Sequence, residues 1–263
     1  MPRRNARPST KFPWHTTQWI SSSSCWRTPF RGGRWGVDTS CRSFIAFPYV
    51  AVILATVVGI YRYYSDRFSF SSFSSQFLES RRLFWGSVPW HYGIVTILSV
   101  HLFAFFFPGV WAALTADPTR LYIIEVTGMA LALVSIVGIS LLVLRRMSDD
   151  RVRVVTTWAD WLLILALLVQ VILGFWVSFF YRWGSDWFLR TAQPWLLSLV
   201  VFQPKIEYVS ALPLVVKWHH LWGFVIICIF PFTRLVHVVT YPITYLWRPL
   251  QVVIWNRARP VQK

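Results

Sequence analysis

Charge is what this chain has least of. Only 14% of its 263 residues are Asp, Glu, Lys or Arg, where an ordinary soluble domain carries about a quarter. So few charges cannot cover a water-facing surface, which excludes a soluble globular enzyme. Acidic residues are scarcest, 10 against 26 basic ones. Cysteine is limited to Cys25, Cys41 and Cys228. Their spacing supports neither a disulfide framework nor an iron–sulfur or zinc motif. Methionine after Met1 occurs only at Met129 and Met147, so a later start would need another codon.

Hydrophobic residues make up 56% of the chain and aromatics 18%. They collect into five runs long enough to cross a bilayer: residues 44–61, 89–107, 121–144, 161–180 and 214–236. The expected fold is therefore an all-α membrane protein, a five-transmembrane-helix bundle. Residues 1–43 have no helical or strand period and read as an irregular extension, or as sequence upstream of the true start. Residues 44–239 form the membrane domain, and residues 240–263 a basic tail. A further apolar run at residues 194–202 is too short to cross and is expected to lie at the interface.

The net charge of +16 does not point to nucleic acid. The basic residues sit between apolar runs, where they set topology and meet anionic lipid. Arg62, Arg67, Arg81 and Arg82 follow the first run, and Arg145, Arg146, Arg151 and Arg153 the third. Arg248, Arg257, Arg259 and Lys263 lie in the tail. These three regions share one side, which the positive-inside rule makes cytoplasmic. The C-terminus is then cytoplasmic and the N-terminus external, although the extension carries eight basic residues of its own.

Histidine carries the chemistry. His91, His101, His219, His220 and His237 fall at or near spans, and only His15 lies outside them. A histidine in a membrane span is costly and marks function by default. His219 and His237 are 18 residues apart, five turns at about 3.6 residues each, so a continuous helix would aim both one way. His91 and His101 are ten apart, about 80° in direction and ~15 Å along the axis. The second and fifth spans run antiparallel. His91 therefore pairs with His237 on the cytoplasmic side, and His101 with His219 on the external side. The ~27 Å and ~15 Å separations differ, and a kink at Pro231 is expected to absorb part of that.

Two histidines from facing helices suit bis-imidazole ligation of haem iron, with no open position, hence electron transfer. Zinc would need further ligands that are not in place, whereas a proton relay uses histidine equally well. His220 is 100° round from His219 and stands as its neighbour or as a one-residue substitute. Gly93, Gly128, Gly138, Gly174 and Gly223 allow close helix or cofactor approach, Gly223 in particular beside His219. Near His101, the polar candidates for a quinol site are Arg120, Asp117 and Glu125.

Four local patterns resemble one family. They are Ser74-Ser75-Gln76-Phe77-Leu78-Glu79, the His91/His101 pair, Arg151-Val152-Arg153 with Thr156-Thr157 and Asp160, and Pro231-Phe232-Thr233-Arg234-Leu235-Val236-His237. Together, over about residues 49–257, they resemble the gamma subunit of membrane-bound respiratory nitrate reductase, the b-type cytochrome NarI family. That resemblance implies a five-helix subunit in the cytoplasmic (inner) membrane of a prokaryote, with two haem b. His101 with His219 would hold the distal haem and His91 with His237 the proximal one, with Arg120 and His101 at the quinol site. Electrons would pass from quinol to an iron–sulfur subunit and on to a molybdenum catalytic subunit at the cytoplasmic face. Arg120 stands where the family usually has Lys, and the long extension departs from its pattern. Two alternatives stay open. One is the membrane cytochrome of a nitrite-oxidising or other molybdenum enzyme, with electrons flowing the other way. The other is a haem-free transporter or proton channel, which the absence of internal inverted repeats disfavours.

Overall fold

The computed structural model describes residues 42–65 and 81–239, together with a two-residue antiparallel backbone ladder, Thr28–Pro29 with Trp35–Gly36. The rest of the extension, the 74–79 pattern and the tail from residue 240 lie outside the described residues. Ten helices follow in order: α1 Phe47–Ser65, α2 Arg81–Phe106, α3 Pro108–Thr115, α4 Pro118–Ser148, α5 Asp150–Val154, α6 Trp158–Phe180, α7 Gly184–Trp187, α8 Ala192–Val200, α9 Glu207–Ser210 and α10 Leu214–Ile229. A π turn, Arg42–Ala46, leads into α1. Five helical segments are long and apolar enough to span a membrane, as expected. They expose apolar residues in helical period: Val50, Ile53, Val57 and Ile60 all face outward on α1, as lipid contact requires.

Since lipid is as apolar as leucine, helix association in a membrane rests on close packing and hydrogen bonds. Small residues supply the first between α2 and α4. A Cβ on Gly138 would lie 2.5 Å from the Trp90 backbone nitrogen and 2.8 Å from the Gly86 carbonyl oxygen. Only glycine lets the two backbones cross there. A hydrogen bond ties α6 to α10, where the Trp222 indole N–H donates to the Ala166 carbonyl over 2.8 Å.

The long helices pack in sequence, α2 on α4, α4 on α6, α6 on α10 and α10 on α1. Among the described residues, α2 shares no extended interface with α10 or α1.

The second span ends at Phe106, and since proline fits a first helical turn the chain resumes at Pro108 as α3. One local expectation changes. Arg145 does not face the interface; it is 2% exposed and inside the bundle. Asp160 sits in the first turn of α6. It caps α6 in a reciprocal box with Thr157 and is 4% exposed. The short helix α8 covers one end of the bundle, with its Trp195 fully buried. The Trp195 ring meets Phe44 at 5.7 Å, Phe224 at 5.9 Å and His220 at 5.9 Å.

Candidate functional site

The site is built on α2, α10 and the turn that follows α10. On α2, His91 and His101 lie on the exposed surface of the helix. At one end, the rings of His91 and His237 come to 6.2 Å between centres with planes at 66°. At the other end, His101 lies within electrostatic reach of both His219 and His220. These are called the lower and upper levels. The antiparallel course of α2 and α10 sorts the histidines this way, as the pairing argument requires.

The route to His237 differs from the expectation of one continuous helix. Pro231 offers no backbone N–H, and α10 stops at Ile229. A 3-10 turn, Phe230–Phe232, follows. Thr233 is extended, with φ −118° and ψ 175°, and its hydroxyl accepts from the Leu235 N–H. A second 3-10 turn, Arg234–Val236, then delivers His237. Helical phase is lost at Thr233, so the five-turn count does not relate His219 to His237. Contacts from other helices direct His237 instead. Arg62 of α1 donates to the Pro231 carbonyl at 2.6 Å. Arg234 pairs with Asp160 of α6 at 2.7 Å.

The histidines share one hydrogen-bond pattern. The Nδ1 atoms of His91, His101, His220 and His237 lie 2.7–2.8 Å from the carbonyls of Ser87, Ile97, Val216 and Arg234 respectively. A carbonyl only accepts, so in the neutral imidazole Nδ1 carries the proton and Nε2 the lone pair. That tautomer, fixed from behind, is the one a metal-ligating imidazole uses. Two imidazoles bound to one ion from opposite sides, with metal–nitrogen bonds of about 2 Å, have ring centres roughly 6 Å apart. The 6.2 Å ring separation at the lower level matches that spacing.

His219 departs from this pattern. Its ring lies over Gly174, where a Cβ would stand 3.0 Å from the His219 Cε1. Among the described residues its Nδ1 and the Gln170 Oε1 meet no hydrogen-bond partner of good geometry, although the Gln170 backbone lies close to the ring. Gly174, rather than Gly223, makes room for that ring. Gly223 instead faces the Gln170 amide, 3.7 Å from where its Cβ would be.

The other candidates are placed as follows. Asp117 caps α4 by accepting from the Arg120 N–H at 2.9 Å. The Arg120 side chain lies 3.8 Å from the same carboxylate, both exposed. No hydrogen bond or ion pair among the described residues joins Arg120 to His101. Glu125 accepts from the Ser185 N–H at 2.8 Å, and the Trp111 indole donates to the Ser185 carbonyl at 2.8 Å. Glu125 thus holds the α7 turn. The His101 ring lies 6.4 Å from Phe188. Asp160 and Arg62 were not legible as site residues, though Asp160 sits in one of the quoted patterns.

Comparison with known proteins agrees with this architecture. The family described as Nitrate reductase gamma subunit matches residues 41–256. The Nitrate reductase gamma chain of Bacillus subtilis is 31% identical over 204 residues, covering 76% of this chain and 92% of that one. The Respiratory nitrate reductase 2 gamma chain of Escherichia coli is 29% identical over 212 residues, 79% of this chain and 93% of that one. The Nitrate reductase-like protein NarX of Mycobacterium tuberculosis is 30% identical over 210 residues, 77% of this chain but 32% of its own length. With most of its length matched and five helices able to span a membrane, this chain belongs to the nitrate reductase gamma subunit family.

Proposed function

We propose that this chain is the dihaem b-type cytochrome of a nitrate reductase complex, oxidising quinol and passing electrons to an iron–sulfur subunit. The carrying observation is the lower level, with ring centres 6.2 Å apart and both Nδ1 atoms on carbonyls. His91 and His237 hold one haem b, and His101 with His219 the other. When bound, haem supplies one-electron transfer, and two histidine ligands leave its iron no open position.

The chain's own residues do the rest. The carbonyls behind His91, His101 and His237 fix each tautomer and aim Nε2. Arg62, Arg145, Arg146 and Arg234 gather at the lower end, with Arg151 and Arg153 beyond them. The positive-inside rule puts that end in the cytoplasm of a prokaryote, with the N-terminus external. The iron–sulfur and molybdenum subunits dock there. Quinol binds beside the upper level, where Arg120 donates to a quinol oxygen near His101.

One observation favours a second ligand at the upper level. His220 shares the hydrogen-bond pattern of the other three, with Nδ1 on the Val216 carbonyl, whereas His219 does not. Separate substitution of each decides between them, since only loss of the true ligand removes the outer haem. The purified chain is expected to give two b haems per protein in a pyridine haemochrome assay, with two steps in a redox-titrated spectrum. Fewer than two would end the dihaem reading.

A further inference from the structure

We propose that Asp160 is a positioning residue for the lower-level haem ligand, acting through Arg234. The inference rests on the reading that His91 and His237 share one haem. His237 follows a stretch that is no longer α-helix, so its direction is not set by helix phase. Its Nδ1 donates to the Arg234 carbonyl at 2.7 Å. The side chain of the same Arg234 reaches across to α6, with Nε 2.7 Å from Asp160 Oδ1. One residue thus joins the ligand to a second helix, its carbonyl toward His237 and its guanidinium toward Asp160.

Asp160 is suited to hold that link. It is 4% exposed, so little water screens the pair. Its other oxygen, Oδ2, accepts from the Thr157 N–H at 2.9 Å and the Thr157 hydroxyl at 3.0 Å. The carboxylate is therefore fixed from the α6 side before it meets Arg234. Arg62 adds a second tie from α1 through the Pro231 carbonyl. Two patterns 70 residues apart in sequence, at Thr157–Asp160 and Pro231–His237, are halves of one clamp. Among the described residues the upper level shows no such clamp, because His219 and His220 lie within continuous α10 and His101 within α2.

The test uses the full chain with its partner subunits, comparing Asp160→Asn, Arg234→Gln and Thr157→Ala with the parent. Readouts are haem per protein under limiting haem supply and the low-spin ferric electron paramagnetic resonance signals. Asp160→Asn and Arg234→Gln are expected to weaken holding of the inner haem about tenfold, as loss of a ligand's hydrogen-bonded support does. The outer signal stays unchanged and reports that the protein is folded. Thr157→Ala removes only the hydroxyl contacts of the capping box and keeps both the backbone N–H to Oδ2 and the ion pair, so its effect on the inner haem should be clearly smaller than that of the other two variants. If Asp160→Asn disturbs insertion, Asp160→Glu keeps the charge and should give an intermediate inner-haem effect. An unchanged inner haem in both Asp160→Asn and Arg234→Gln overturns the proposal, as does an equal effect from Thr157→Ala. A parallel His237→Ala chain separates the two readings. If it keeps both haems, the ligand assignment has failed and the clamp fails with it. If it loses one, the clamp is judged on the other variants alone.

Discussion

The two histidine levels are held by different means. At the lower level, His237 lies beyond the end of α10 and is directed by Arg62, Arg234 and the buried Asp160. At the upper level, His219 and His220 lie inside α10, whose own hydrogen bonds set their direction. Gly174 lies under one ring and Trp195 beside the other, whose Nδ1 meets the Val216 carbonyl. The lesson is physical: a histidine within a helix needs space, whereas a histidine past a helix end needs ties to other helices.

Removing the ligands should break the comparison most sharply. His237→Ala or His91→Ala is expected to lower haem content from two per chain to one and abolish transfer to the iron–sulfur partner. The surviving spectrum should be that of the outer haem. His101→Ala should do the reverse, removing the outer haem and quinol oxidation while the inner signal remains. A chain that lost both haems in either variant would show that the levels are not independent.

A helix-crossing variant should weaken both levels together. In Gly138→Ala the new methyl meets the Trp90 backbone, and overpacking of this kind costs about 1–3 kcal/mol. Thermal unfolding followed at the haem band should shift downward with both haems lost in one step. Separate steps would show that α2 and α4 do not brace the two sites jointly. The smallest effect is expected at Gly174→Ala. Its methyl would lie 3.0 Å from the His219 Cε1, tight enough to move the ring by a few tenths of an ångström. If His219 is the ligand, the outer haem's resonance signal shifts while the inner one does not. If His220 is the ligand, neither changes appreciably, which makes this variant a gentle discriminator at the upper level.

Much of the fold was legible because a bilayer imposes simple rules. Apolar length marked the spans, and antiparallel order followed from the loops. The pairing of His91 with His237 needed only that order. What misled was the assumption of helical phase across Pro231. The spacing of His219 and His237 matches five turns, yet the chain leaves the helix at Thr233. Burial also escaped the sequence at Arg145 and Asp160, because an arginine or aspartate near a span end reads as an interface anchor. Only the partner on another helix shows otherwise.

By itself, then, the sequence determined a five-span helical bundle carrying histidines at two levels. These features depend on composition, run length and order along the chain, all local or countable quantities. Tertiary structure decided that Arg234 joins His237 to Asp160, that Gly174 receives His219, and that the His220 Nδ1 is turned to the Val216 carbonyl. Each of these depends on which helices meet and at what depth. The bilayer's rule of apolar length leaves that choice to side-chain packing.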